Sequence, residues 1–203
     1  MRDWWLRTFL VLQRPRPVFV ALRDDSKQSL SDRSEPVLAI IFLAGIAGVL
    51  STSTAGRLLD DNNYDGLLVA VWAFIAGGIY GTFGYFVIGA LLYAGSKALG
   101  SQGTYRRARQ VLAFACVPIA LSLVLWPIKL AVFGEDVFRR GGGDAGAGGD
   151  VFALLTFAFV AWAAVLLVIG VRAVHGLSWQ RALAACGLAL VVPVVLGLAL
   201  SSF

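Results

Sequence analysis

The sequence predicts an all-α, polytopic membrane helix bundle with five transmembrane helices and an N-terminal interfacial helix. Three observations carry that prediction. The 203-residue chain is 59% hydrophobic and 14% charged, with a mean hydropathy of +0.80, whereas soluble domains carry about 25% charged residues. Five apolar runs, each matched to a hydrocarbon layer of about 30 Å, alternate with polar loops. Seven lysines and arginines lie in residues 1–35, four in 96–110 and two in 172–181, against four in or beside the intervening loops. Thirteen against four, alternating with each crossing, places the N-terminus in the cytoplasm and the C-terminus outside. No soluble stretch is long enough for a second domain. Residues 1–35 therefore read as a cytoplasmic or interfacial N-terminal region, and 36–203 as one five-helix transmembrane domain.

In the N-terminal region, Trp4, Trp5, Phe9 and Leu12 recur at helical spacing beside Arg2 and Arg7. That pattern suits a helix lying in the interface with its rings at head-group depth. The apolar run Phe9–Leu12 is too short for a signal-peptide core. Pro15 and Pro17 end the helix, Val18–Leu22 forms a short apolar turn, and Asp24–Glu35 reads as a solvated linker. The first span covers 36–55 and opens on Pro36, whose missing N–H costs nothing in a first turn. A polar loop follows, with Arg57, Asp60, Asp61, Asn62, Asn63 and Asp65.

The second span, 66–95, is long enough to tilt. Ala73, Gly77 and Gly81 recur every four residues along it, a small-residue stripe that lets two helix backbones approach closely. The stripe predicts a packing face, within the monomer or between protomers of a homo-oligomer. The third span, 111–133, contains Pro118, which removes a backbone donor and predicts a kink. Lys129, near its end beside Trp126, reads as a snorkelling residue; a transport-site lysine is the sharper alternative. The Gly-rich stretch 134–150 is a flexible connection. The fourth span covers 151–171, and a tight loop with His175 leads to Ser178, the N-cap of the fifth span, 181–200. Pro193 predicts a bend in that last helix.

The candidate site is the basic stretch between the second and third spans. Lys97, Arg106, Arg107 and Arg109 carry four positive charges with no acidic residue among them, and Tyr105 stands beside them at head-group depth. Each such charge gains on the order of 1 kcal/mol near an anionic membrane surface, and arginine forks two hydrogen bonds to a phosphate. Two readings stay open: a site for anionic lipid head groups, or residues that only set topology during insertion.

Composition excludes much else. The net charge of +5 sits beside apolar spans rather than on a soluble basic face, so nucleic acid is not expected. Cys116 and Cys186 lie inside apolar runs without CxxC spacing, and one histidine builds no HExxH centre, so no metal, cofactor or redox chemistry is expected. GGGDAGAGG lacks the lysine of a phosphate cradle. No paired intramembrane aspartates and no serine–histidine pair within spans point to a protease. Two function classes remain. One is a non-enzymatic protein that organises membrane or partner proteins through helix packing and lipid contact. The other is a small transporter or lipid-handling channel. Ion coupling would place charges deep in the spans; only hydroxyls such as Thr82, Ser122 and Thr156, with Lys129, are offered, so an apolar substrate path fits better.

Three segments together resemble the Yip family, the Ypt/Rab-interacting membrane proteins with five spans. They are LQRPRPVFVAL (Leu12–Leu22), GSQGTYRRARQVLAFACVP (Gly100–Pro118) and VIGVRAVHGLSWQRALAACGLALVVP (Val168–Pro193). The resemblance implies five spans and, from the eukaryotic members, a role in traffic between endoplasmic reticulum and Golgi with binding of small GTPases and of one another. The N-terminal region here is shorter than in those members, which argues against small GTPase binding. The Gly/Ala/Arg-rich composition points to a prokaryotic member in the plasma membrane.

Overall fold

A computed structural model of the protein describes residues 2–61 and 65–201, with side chains described for 3–61 and 65–191. All regular structure among the described residues is helical. Asn62 and Asn63 of the polar loop lie outside the described residues.

The chain begins with α1 (Arg2–Gln13) and α2 (Pro15–Ala21), hinged at Arg14, whose non-helical backbone leads into Pro15 in the first turn of α2. Both helices bury one face. Trp4, Val11, Val18 and Phe19 enter the core, while Leu6, Phe9 and Leu10 stay exposed on the other side. Trp4 is held against Phe114 with ring centroids 5.7 Å apart. The sequence expects Trp4 at head-group depth; the structure instead buries it.

The stretch expected as a solvated linker is largely helix. α3 runs from Lys27 to Leu50 because Ser26 caps it, accepting a hydrogen bond from the Ser29 N–H. Pro36 therefore lies inside the helix rather than in its first turn. The far end stops at Leu50, short of the expected 55. There the hydroxyls of Ser51 and Thr52 turn back onto the carbonyls of Ala47 and Val49, satisfying acceptors that further helix would have used. A 3-10 turn, Ala55–Asp60, follows.

α4 (Gly66–Ala98) is capped by Asp65, whose carboxylate accepts from Leu68 N–H at 2.8 Å. It packs along α3 at a seam of glycines. A Cβ placed on Gly45 would lie 2.8 Å from the Gly81 Cα, and one on Gly77 would lie 2.7 Å from the Ile46 Cα. Neither site has room for a side chain, so the two backbones touch. Ala73, one turn along, is also buried.

The third apolar run is broken. α5 (Tyr105–Ala115) ends at a turn on Cys116, and α6 (Val117–Leu121) starts afresh with Pro118 in its first turn. A 3-10 turn (Ser122–Val124) and α7 (Leu125–Phe133) complete the passage, and a second 3-10 turn, Gly134–Phe138, closes it. The proline needs no amide acceptor at that position, which is why a new helix begins there. α5 is the axis of the bundle: every residue from Gln110 to Ala115 is buried.

α8 (Ala147–His175) extends to His175 because Gly176, at φ +69°, takes the left-handed position that terminates a helix. His175 is thus helical, not in a loop as expected. α9 (Trp179–Ser201) runs through position 193, and the side chain of Pro193 lies outside the described residues. Among the described residues, four stretches are long and apolar enough to cross a membrane: Lys27–Leu50, Gly66–Ala98, Tyr105–Phe138 and Ala147–His175. Large apolar side chains face outward along them, among them Phe74, Ile79 and Phe83 on α4 and Leu154 and Phe157 on α8. In water that would be costly; in hydrocarbon it is the expected surface.

Candidate functional site

One end of the bundle gathers three segments that carry lysine and arginine: the N-terminal helices, the 99–110 stretch and the α8–α9 turn. Side chains tie them together across long sequence separations. Arg23 donates to the carbonyl of Ala173. Arg107 donates to the carbonyl of Arg23 at 2.7 Å and pairs with Asp25 at 2.7 Å. Each guanidinium satisfies a backbone acceptor left over where a helix ends or a turn begins.

Arg33 lies at the bottom of this cluster, with a fully buried side chain. Its Nη1 donates to Leu22 O at 3.4 Å, its Nη2 stands 3.6 Å from Asp25, and its Cζ lies 5.6 Å from the Trp4 ring centre. Asp25 therefore serves two arginines at once. Its neighbour Asp24 makes no ion pair among the described residues: its carboxylate accepts from Ser26 N–H, and that bond holds its pKa below the ordinary value.

A second buried polar group joins the 99–104 loop to α8. Ser101 Oγ lies 2.8 Å from His175 Nδ1 and accepts from Gly103 N–H at 2.9 Å. Gly103 lies against the imidazole so closely that a Cβ there would collide with it, and Gly100 turns the loop at φ +92°. Both side chains of the pair are almost fully buried, so the contact fastens the loop to the helix end.

The residues named from the sequence divide into two groups. Lys97 and Arg106 are exposed, with no side-chain partner among the described residues. Arg107 is held by Arg23 and Asp25. Arg109 lies inside an aromatic enclosure, its Cζ 4.5 Å from the Tyr105 ring, 4.7 Å from Phe86 and 5.1 Å from Tyr85. Tyr105 is fixed by its hydroxyl donating to Phe86 O at 2.9 Å. The five residues are neighbours in the chain, but they do not form one open surface.

Sequence reading missed Arg33 and the Ser101–His175 pair. A signal for Arg33 existed: residues 33, 36, 37, 40 and 41 follow the helical period of a buried face. The histidine had a weaker one, in the His-Gly pair that marks a helix C-terminus.

The opposite end is built differently. Trp126 stacks on Phe138 with parallel rings 5.7 Å apart, and the Arg140 N–H donates to Asp60. Lys129 pairs with Asp144 at 2.6 Å and lies over Trp126. Beside this pair opens a cavity of about 680 Å³. It shares Ser51, Thr156 and Val160 with an apolar cavity of about 300 Å³ lined by Gly81, Tyr85, Cys116 and Ser122. The break between α5 and α7 lines that inner space.

The family model for the Yip1 domain matches residues 9–201. The chain belongs to the Yip1 domain family. Membership across nearly the whole length, with the apolar helices, makes it a multi-pass integral membrane protein. Comparison with curated proteins and with solved structures returns no match. For this Yip1-domain chain, the basic cluster and the paired cavities are two places where geometry departs from simple helix packing.

Proposed function

We propose that this Yip1-domain protein is a non-enzymatic organiser of membrane or partner proteins, acting through helix packing and through contact of its basic end with anionic lipid head groups. In this reading it crosses the membrane five times, with the N-terminus in the cytoplasm. α9 counts as the fifth crossing, since its 23 residues extend about 35 Å. α1 and α2 lie at the interface, their exposed Leu6, Phe9 and Leu10 against lipid. The observation that carries the reading is the collection of three basic segments at one end, with Lys97 and Arg106 left free to meet phosphate. The glycine seam accounts for packing within one copy. Small GTPase binding is left out, because the N-terminal helices are packed on the bundle rather than extended from it.

A native mass spectrum of the full chain from mild detergent tests the lipid part: anionic lipid retained in preference to zwitterionic lipid is expected. Orientation is tested with single cysteines in a background lacking Cys116 and Cys186. Gly143→Cys should react with an impermeant thiol reagent in intact cells, and Gln102→Cys only after the membrane is opened. The reverse pattern overturns the orientation.

The contiguous cavities favour a second reading, a lipid-handling channel with an apolar path. Lipids brominated on the acyl chain should then quench Trp126 in a variant that keeps it as the sole tryptophan. Fluorescence unchanged from that in unbrominated lipid would remove that reading.

A further inference from the structure

Between α2 and the α8–α9 turn lies a groove of about 720 Å³ whose polar lining is arginine. Arg14, Arg16, Arg23 and Arg172 contribute to it, and no carboxylate does. Four guanidinium groups without a counter-charge are uncommon in a folded protein, since like charges held together repel. Of the two acids that follow Arg23, Asp25 pairs with Arg33 and Arg107, and Asp24, ionised, accepts from the Ser26 amide; neither pairs with an arginine of the groove. None of the four arginines of the groove is paired with a carboxylate among the described residues, so the positive charge is concentrated there.

The rest of the lining is apolar. Val20 on α2, Ile169 on α8 and Leu177 in the turn form it, with Pro15 and Pro17 along one side. Ile169 lies on α8 about one turn from Arg172, toward the middle of the bundle. Trp179 lies at the rim, the Arg172 guanidinium 4.5 Å from its ring centre. A tryptophan beside arginines at a helix end is the arrangement that sits at the membrane–water boundary.

Two of the arginines are also oriented in advance. Arg23 is fixed by its bond to Ala173 O, which leaves its remaining N–H groups available. Arg172 is fixed by its stack on Trp179. Arg14 and Arg16 are exposed and have no side-chain partner among the described residues. A cationic rim over an apolar floor, at the level of a boundary tryptophan, is complementary to an anionic amphiphile. Planar guanidinium forks match phosphate oxygens in pairs.

We propose that this groove binds the phosphate head group of an anionic phospholipid, with the head of an acyl chain against Val20 and Ile169. The inference rests on the anionic-lipid contact put forward above and moves its centre. Of the arginines between α4 and α5, Arg107 and Arg109 are occupied by Asp25 and by three aromatic rings, whereas the groove keeps four arginines facing one space. A free phosphate ion shares the head-group chemistry but makes no use of the apolar floor.

The test uses the full chain in nanodiscs and in mild detergent, with phosphatidylglycerol and phosphatidylcholine of the same acyl chains as probes. Native mass spectrometry reads retained lipid. The wild type should retain phosphatidylglycerol preferentially. Arg16→Gln with Arg172→Gln should lower that retention by about tenfold or more, two charges having been removed from an anionic contact. Lys97→Gln with Arg106→Gln should leave most of it. If the first variant melts early, Arg14→Gln with Arg16→Gln replaces it, since both side chains are exposed and unpartnered, and a severalfold loss is then expected. Full retention in the groove variants, with the preference intact in the wild type, overturns the groove while the broader lipid reading survives. No preference in the wild type sinks both. Displacement of phosphatidylglycerol by excess inorganic phosphate, with equal retention of short- and long-chain lipids, would make the ligand a free phosphate and overturn the lipid assignment.

Discussion

The two ends of the bundle are closed by different means. At the basic end, arginines reach across 84 and 150 residues of sequence to backbone carbonyls, and a buried Arg33 shares Asp25 with Arg107. At the other end, Trp126 stacks on Phe138, Val137 and Leu59 are buried beside them, and ion pairs join Lys129 to Asp144 and Arg139 to Asp136. The first closure depends on directional bonds with named partners. The second depends on shape, and tolerates changes of charge. Stability at the two ends should therefore respond to opposite kinds of substitution.

Phe138→Ala is expected to have the largest effect, a loss of about 3 kcal/mol, by removing a buried ring from its stack and leaving a cavity. Thermal melting in detergent measures it; a loss below about 1 kcal/mol would mean that the far end is not held by its apolar cap. Asp25→Asn should follow, at about 2 kcal/mol, because it strips the carboxylate from two guanidinium groups, one fully buried. Arg33→Met sharpens the point: it removes the buried charge together with its need for a partner, and should cost less than Asp25→Asn. Asp144→Asn should be mildest, within about 1 kcal/mol, since Lys129 keeps its place over Trp126 and near water. Equal losses from Asp25→Asn and Asp144→Asn would erase the contrast between the ends.

What could be read in the sequence follows the same division. α4 and α8 are long uninterrupted apolar runs, and their limits shift by only a few residues from the expected ones. The passage from 105 to 138 had its prolines in plain view, but its break at Cys116 depends on how α5 is enclosed by its neighbours. Arg33 looked like a linker residue because its partners, Trp4, Leu22 and Asp25, belong to other elements that only folding brings near. Ser101 and His175 stand 74 residues apart, and neither residue alone signals the other. Local periodicity shows which face of a helix is buried; it does not show which polar side chains that face can accept. The arginine groove was hidden for the same reason, its four cations coming from two distant segments.

The glycine seam between α3 and α4 also bears on the order of assembly during synthesis. Every contact in it comes from residues before 99, so the hairpin is complete in composition before the arginines of α5 leave the ribosome. The bond from Arg23 to Ala173 is available only after most of the chain has been made. The hairpin can thus form early, and the clasp at the basic end is fastened late. A ribosome stalled far enough beyond α4 for that helix to have left the exit tunnel should already present a protease-resistant α3–α4 pair, with the N-terminal helices still open to digestion.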